Sequence, residues 1–161
     1  MIILGIDPGE TLIGIGVVKK TKGNIEYINH ECIEIDSKKE TSEKLLEINK
    51  KLSIILDKYK PELISIEELF FFKNKKTVIK VAQARGVLLL TCQKYGVKIL
   101  EFTPLQVKQS VACYGRANKK QVQEMVKSIL KLSEIPKPDD AADALALAIC
   151  AGNTSQVLLK K

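Results

Sequence analysis

The chain has 161 residues, 45% of them hydrophobic, and a formal net charge of +7, which leaves room for one domain around one continuous core. No apolar run approaches the ~20 residues that span a bilayer, and Ile2–Ile6 lacks the basic, apolar, small-residue order of a secretion signal, which argues against membrane and secreted classes. Cys32, Cys92, Cys113 and Cys150 lie far apart without a CxxC; with a single histidine, His30, they read as reduced thiols of a cytoplasmic protein rather than a zinc site or disulfide framework.

In chain order, Ile2–Asp7 reads as a strand buried on both faces, ending in an acid and an Asp-Pro-Gly turn. A second strand, Leu12–Lys19, carries Gly14 and Gly16 two apart, so one of its faces is bare backbone, open to a close helix or to a substrate; helix packing is the simpler use. Tyr27–Ile35 alternates after a Lys22-Gly23-Asn24 turn and completes an antiparallel meander, with His30 in it as a structural or surface residue. Ser42–Asp57 is an amphipathic helix whose stripe includes Leu45, Ile48, Leu52 and Ile55, and it ends before Pro61. Leu63–Leu69 is a fourth strand with Glu67 and Glu68 near its end. Asn74–Lys94 is a long helix closed by Gly96. It is apolar nearly all round apart from a basic stripe at Lys73, Lys76 and Lys80, so it needs cover on more than one side. Val97–Phe102 is a fifth strand, and Thr103-Pro104 opens a short helix. A loop over Cys113–Asn118 leads to the last two helices, Lys119–Leu132 and Asp140–Cys150. This order predicts a single α/β domain over residues 1–161 with a mixed sheet.

The charge is segregated. Lys73 through Ser133 holds thirteen Lys/Arg against two acids, Glu101 and Glu124, while the rest of the chain has a net charge of −4. A basic run is commonly just a solvated face, but segregation on this scale beside clustered acids points to a polyanion partner. The acids are Asp7 and Glu67/Glu68 at strand ends, and Asp140 and Asp143, three apart on one helix face. Asp139 projects about 100° away and suits the N-cap. Capping and the helix dipole account for acids on a first turn. Asp143 lies a full turn inside, among Ala141, Ala142, Ala144 and Leu145, where a carboxylate requires a cation. Acids converging from two central strands and a helix repel one another unless a hard cation such as Mg²⁺ lies between them. Two such ions about 4 Å apart can serve phosphodiester hydrolysis. Periodicity does not choose between Glu67 and Glu68. Neither a Ser-His-Asp or Cys-His arrangement nor a Gly-rich phosphate loop offers another chemistry.

Five segments in order, Ile3-Leu4-Gly5-Ile6-Asp7-Pro8-Gly9, Ile66-Glu67-Glu68-Leu69-Phe70, Gln83-Ala84-Arg85-Gly86, Thr103-Pro104-Leu105-Gln106-Val107-Lys108-Gln109 and Asp140-Ala141-Ala142-Asp143-Ala144-Leu145-Ala146, give a chain that resembles the RuvC family of Holliday-junction resolvases. The resemblance implies an RNase H-like fold, with a five-stranded mixed sheet (three antiparallel strands, then two parallel) flanked by helices. It implies that Asp7, Glu67, Asp140 and Asp143 are catalytic and hold Mg²⁺, two ions per site with Mn²⁺ able to substitute; the Ile-Glu-x-x-Phe pattern selects Glu67 over Glu68. Phe70 matches an aromatic pressed against unstacked bases, against the alternatives of Phe71, Phe72 or a plain core role. Lys108 and Lys119 match basic positions near the scissile phosphate, against ordinary solubility, and Lys73, Lys76 and Lys80 would extend the DNA-binding face. The implied assembly is a homodimer acting with RuvA and RuvB, and the implied activity is paired symmetric nicking of four-way DNA junctions in recombination and repair. The alternative is a related RNase H-like nuclease of the YqgF class acting on RNA. Actin-like ATPases and sugar kinases share the opening Gly-Ile-Asp-x-Gly but need two domains, and a non-catalytic junction-binding module would have lost acids that are all present here.

Overall fold

The computed structural model describes residues 1–69 and 75–158, with side chains over 1–69 and 78–154. Strands β1 (Ile2–Asp7), β2 (Leu12–Lys20) and β3 (Ile25–Glu34) form the meander. They are followed by α1 (Thr41–Tyr59), β4 (Leu63–Glu67), α2 (Lys75–Lys94), β5 (Lys98–Phe102), α3 (Pro104–Ala112), α4 (Lys119–Ile129) and α5 (Asp139–Leu158). The sheet order is β3-β2-β1-β4-β5, antiparallel across β1, β2 and β3 and parallel from β1 through β4 to β5. This is the expected mixed sheet. The main differences of extent are that β4 stops at Glu67 instead of Leu69 and that α5 continues past Cys150 to Leu158.

Alternation along the strands divides the interior into two cores, one per face, in place of the single continuous core expected. Leu4 and Ile6 of β1, Ile13 and Ile15 of β2, and Ile64 and Ile66 of β4 pack against Ile48, Leu52 and Leu56 of α1 and Leu88 of α2. The intervening positions Ile3, Val18 and Leu63 face α5 and, beyond it, Val107 and Val111 of α3 and Val126 of α4. A strand covered by helices on both sides reads as a continuous apolar run, as Ile2–Ile6 does. Capping boxes at Thr103/Gln106 and Asn118/Gln121 start α3 and α4.

The bare backbone of β1 and β2 is where α5 lies. A Cβ on Gly5 would stand 1.9 Å from the Ala144 carbonyl oxygen, one on Gly14 2.0 Å from that of Asp140, and one on Gly16 2.5 Å from the Leu145 nitrogen. The face left open by Gly14 and Gly16 therefore receives a helix. Small residues on both sides bring the backbones together, while Leu145 and Ile149 are wholly buried, each contributing about 1.5–3 kcal/mol.

Within one chain α2 is covered on one side only: Ala84, Leu88 and Cys92 are buried, whereas Ile79 is 62% and Leu90 55% exposed. The cover on a second side that its composition calls for does not come from this chain's described residues. Among those residues no helix is long and apolar enough to cross a membrane.

Candidate active site

Register brings the first two acids together. β1 and β4 run parallel with Ile6 opposite Ile66, so Asp7 and Glu67, each one residue further on, end neighbouring strands side by side. Both have the parity of Gly5, Ile3 and Leu63, the face that α5 covers. Glu68 falls outside the strand, and its N–H donates to the Phe102 carbonyl at 2.9 Å. The first turns of α5 bring Asp140 over Gly14 and Asp143 to the mouth of a cleft of about 190 Å³. Asp7, Glu67, Asp143, Lys108 and Lys119 line this cleft, with Val107 and Val122 as apolar wall. Asp140 flanks the cleft without lining it, close enough for its charge to act on Asp7.

These carboxylates are held uncomfortably. Burial, then the charges of Glu67, Asp143 and Asp140, pushes the Asp7 carboxyl up to about 8, with Lys119 offsetting only part. Burial and then Asp143 push Glu67 up, and burial raises Asp143 despite its contact with Lys119. Among the described residues no hydrogen bond or ion pair reaches the side chain of Asp7 or Glu67. The Lys119 ammonium lies 3.1 Å from Asp143 Oδ2 and 3.2 Å from Asp139 Oδ2, so its direct contacts go to those two acids, and it eases Asp7 only through its charge.

No group of three His, Cys, Asp or Glu side chains among the described residues is arranged as a finished metal site. The donor set nonetheless suits a hard divalent cation. It consists of carboxylate oxygens alone, mutually repelling, with two of them free of protein donors. The residues able to hold such an ion are Asp7, Glu67 and Asp143, with Asp140 beside them.

The remaining sequence candidates divide. Lys108 and Lys119 stand at the cleft. Lys80 is on the exposed side of α2, where its ammonium pairs with Glu10 at 3.1 Å, a carboxylate also held by Lys44 at 3.1 Å. Phe70 and Lys73 lie outside the described residues, as does the side chain of Lys76. Asp139 is not the N-cap, because the Ala141 and Ala142 N–H groups donate to the Pro138 carbonyl. Asp139 sits inside the first turn and accepts from Gln123 Nε2 at 3.1 Å, and with Lys119 this holds its carboxyl below the usual range. His30 accepts or donates at Nδ1 to the Tyr27 hydroxyl, 2.9 Å away, in a structural contact. Sequence reasoning assigned no role to Arg85, which donates to the main-chain carbonyl of Glu67. The available signal was its place in the Gln83-Ala84-Arg85-Gly86 segment.

The profile of the crossover junction endodeoxyribonuclease RuvC family matches residues 3–151. The RuvC crossover junction endodeoxyribonuclease of Halothermothrix orenii is 51% identical over 154 residues, 96% of this chain and 93% of that protein. The corresponding enzyme of Caldicellulosiruptor saccharolyticus is 52% identical over 151 residues, 93% of this chain and 91% of its own. Among solved structures, Thermus thermophilus RuvC superposes with a TM-score of 0.90 at 34% identity, covering 98% of this chain and 96% of that one. T. thermophilus RuvC in complex with a Holliday junction substrate superposes with 0.88 at 31% identity and the same coverage. These neighbours identify the mixed sheet as RNase H-like. Because the match runs unbroken from β1 through the start of α5, taking in both acid-bearing strand ends and the helix that closes the cleft, the chain belongs to the RuvC family of crossover junction endodeoxyribonucleases.

Proposed function

We propose that this chain, acting as one domain over residues 1–161, is a Mg²⁺-dependent, structure-selective endodeoxyribonuclease of the cytoplasm. It resolves four-way DNA junctions by paired symmetric nicks in recombination and repair. The observation that carries this reading is the pair of strand-end carboxylates, Asp7 and Glu67, that have no direct hydrogen-bond or ion-pair partner among the described residues, beside Asp143 in a cleft whose other charges are Lys108 and Lys119. Relatives at about half identity are crossover junction endodeoxyribonucleases, which disfavours the RNA-directed YqgF class.

Asp7, Glu67 and Asp143, with Asp140, are the residues that would hold the metal. Two Mg²⁺ ions held there, or Mn²⁺ in their place, would acidify the attacking water and supply charge to stabilise the leaving oxygen. Lys108 and Lys119 bind and orient the scissile phosphate by charge, with Asp139 and Asp143 fixing where the Lys119 ammonium lies. The apolar wall of Val107 and Val122 limits water on one side of the cleft. Phe70, three residues beyond Glu67, stacks on an unpaired base and holds the crossover open. Lys73, Lys76 and Lys80 add phosphate contacts, which for Lys80 requires release from Glu10.

Ile79 and Leu90 leave apolar surface on α2 that a second copy would cover. A homodimer supplies two clefts for the two strands of a two-fold junction. RuvA and RuvB are the further partners this reading takes from the family.

The site assignment is tested by Asp7→Asn, Glu67→Gln, Asp140→Asn and Asp143→Asn. Each should abolish cleavage with junction binding intact, whereas Glu68→Gln and Asp139→Asn should cut. Cleavage by Glu67→Gln together with its loss in Glu68→Gln would overturn the assignment.

A further inference from the structure

α2 packs on the face of the sheet opposite the carboxylates, yet one of its side chains reaches the site from behind. Arg85 donates from Nε to the main-chain carbonyl of Glu67 at 2.9 Å, and its Nη2 pairs with the Glu101 carboxylate. The Arg85 side chain is 15% exposed, so its bond to the Glu67 carbonyl is partly buried, whereas the Glu101 carboxylate, 47% exposed, meets it at the surface. Glu101 has the parity of Val97 and Ile99, which pack towards α1 and α2. Arg85 therefore ties the ends of β4 and β5 together from the back of the sheet. That accounts for one of the two acids in the basic stretch from Lys73 to Ser133.

The place of this tie matters. Pairing of β4 with β1 ends at Ile6 and Ile66, so Glu67 lies one residue past the last rung on that side. Its carboxylate is half-buried in the cleft it lines with Asp7 and Asp143. On its other side the strand end still pairs with Phe102 of β5, and a brace that spans β4 and β5 holds that pair in place against the crowding of the carboxylates. We propose that Arg85 is a positioning residue for Glu67. By gripping the Glu67 carbonyl and bracing on Glu101, it keeps the carboxylate turned towards Asp7 and Asp143, while its own charge stays on the far side of the sheet. A guanidinium donates in two fixed directions at once, which a lysine ammonium on a flexible stem does not reproduce.

The inference rests on the reading of Asp7, Glu67 and Asp143 as metal carboxylates, and its test separates the two. The readout is Mn²⁺ binding to the full chain without DNA, followed by electron paramagnetic resonance, together with the melting temperature and the Mg²⁺ concentration for half-maximal junction cleavage. Arg85→Lys should weaken Mn²⁺ binding by roughly 10–100-fold, the usual cost of losing an orienting contact behind a ligand. The Mg²⁺ requirement should rise in step, with cleavage recovering at high Mg²⁺. Glu101→Gln, at a more exposed position and with the fold intact, should weaken binding by a smaller factor in the same direction. Asp7→Asn is the control and should lose Mn²⁺ binding. If Asp7→Asn loses it while Arg85→Lys and Glu101→Gln bind as wild type does, Arg85 is a structural brace and the proposal fails alone. If Asp7→Asn itself binds Mn²⁺ like wild type, the reading of the acids fails and the proposal with it.

Discussion

The Asp7 carboxyl should make the metal-free protein lose stability as pH rises. It titrates at about 8 in the folded chain against an ordinary 3.8, so between those values the folded state holds a proton that the unfolded chain has released. Stability contributed by that proton is complete below the unfolded value and is lost as pH rises through the folded one. At about 1.4 kcal/mol per pH unit, the whole window is worth on the order of 5 kcal/mol. Water entering the open cleft screens part of this, leaving roughly 2–4 kcal/mol, which for a domain of this size is a fall in Tm of about 10 °C. Glu67 and Asp143, also pushed up, act in the same direction. Glu10, Glu47 and Asp139 are held below their ordinary values, so their contribution, of opposite sign, is gained largely below pH 5. The assay is thermal unfolding in EDTA at pH 5 to 8 for wild type and Asp7→Asn. Wild type should lose Tm steadily, and the variant should be flatter and the more stable of the two at pH 8. Mg²⁺ added at pH 8 should recover wild type and leave the variant unmoved. A wild-type Tm that is flat or rising in EDTA, or an Asp7→Asn protein less stable at pH 8, would refute the reasoning.

Lys108→Ala and Lys119→Ala should each weaken junction binding and lower the salt slope of log K by about one per phosphate contact removed, read from binding titrations over a range of salt; unchanged slopes would make both lysines merely solvated. Lys80→Ala should lower that slope in the same direction, its ammonium being released from Glu10 on binding. Gly14→Ala would drive a Cβ to 2.0 Å from the Asp140 carbonyl oxygen, costing at least about 1–3 kcal/mol and displacing the helix start that bears two acids; a normal Tm with full cleavage would contradict the packing described. Phe70→Ala should leave Mn²⁺ binding intact while losing roughly 1–3 kcal/mol of stacking, so a junction already unpaired at its centre should be cut better than an intact one.

Much of this was legible in the chain. The apolar run of β1, the spaced glycines of β2 and the alanines of α5 together state that a helix lies on bare strand backbone. Strands ending in Asp7 and Glu67/Glu68 marked where the acids would gather. What a single sequence lacks is register. The choice between Glu67 and Glu68 turns on Ile6 facing Ile66, a pairing between residues sixty apart that no local periodicity encodes. The cap of α5 was misplaced for a related reason, since Asp139 is drawn to Lys119 and Gln123 from α4, contacts that only the folded chain makes. The grip of Arg85 on a main-chain carbonyl leaves no mark on the composition of either partner. The pairing of Lys80 with Glu10 was equally hidden, because the acid comes from the turn after β1, seventy residues away.

Metal-dependent cutting selective for a four-way junction is tested by incubating the purified chain with end-labelled four-way junction, linear duplex and RNA–DNA hybrid, in Mg²⁺ and in EDTA. Paired, symmetrically placed nicks should appear in the junction in Mg²⁺ alone, with duplex and hybrid left whole. Preferential cleavage of the hybrid, or junction cleavage that persists in EDTA, would contradict this reading.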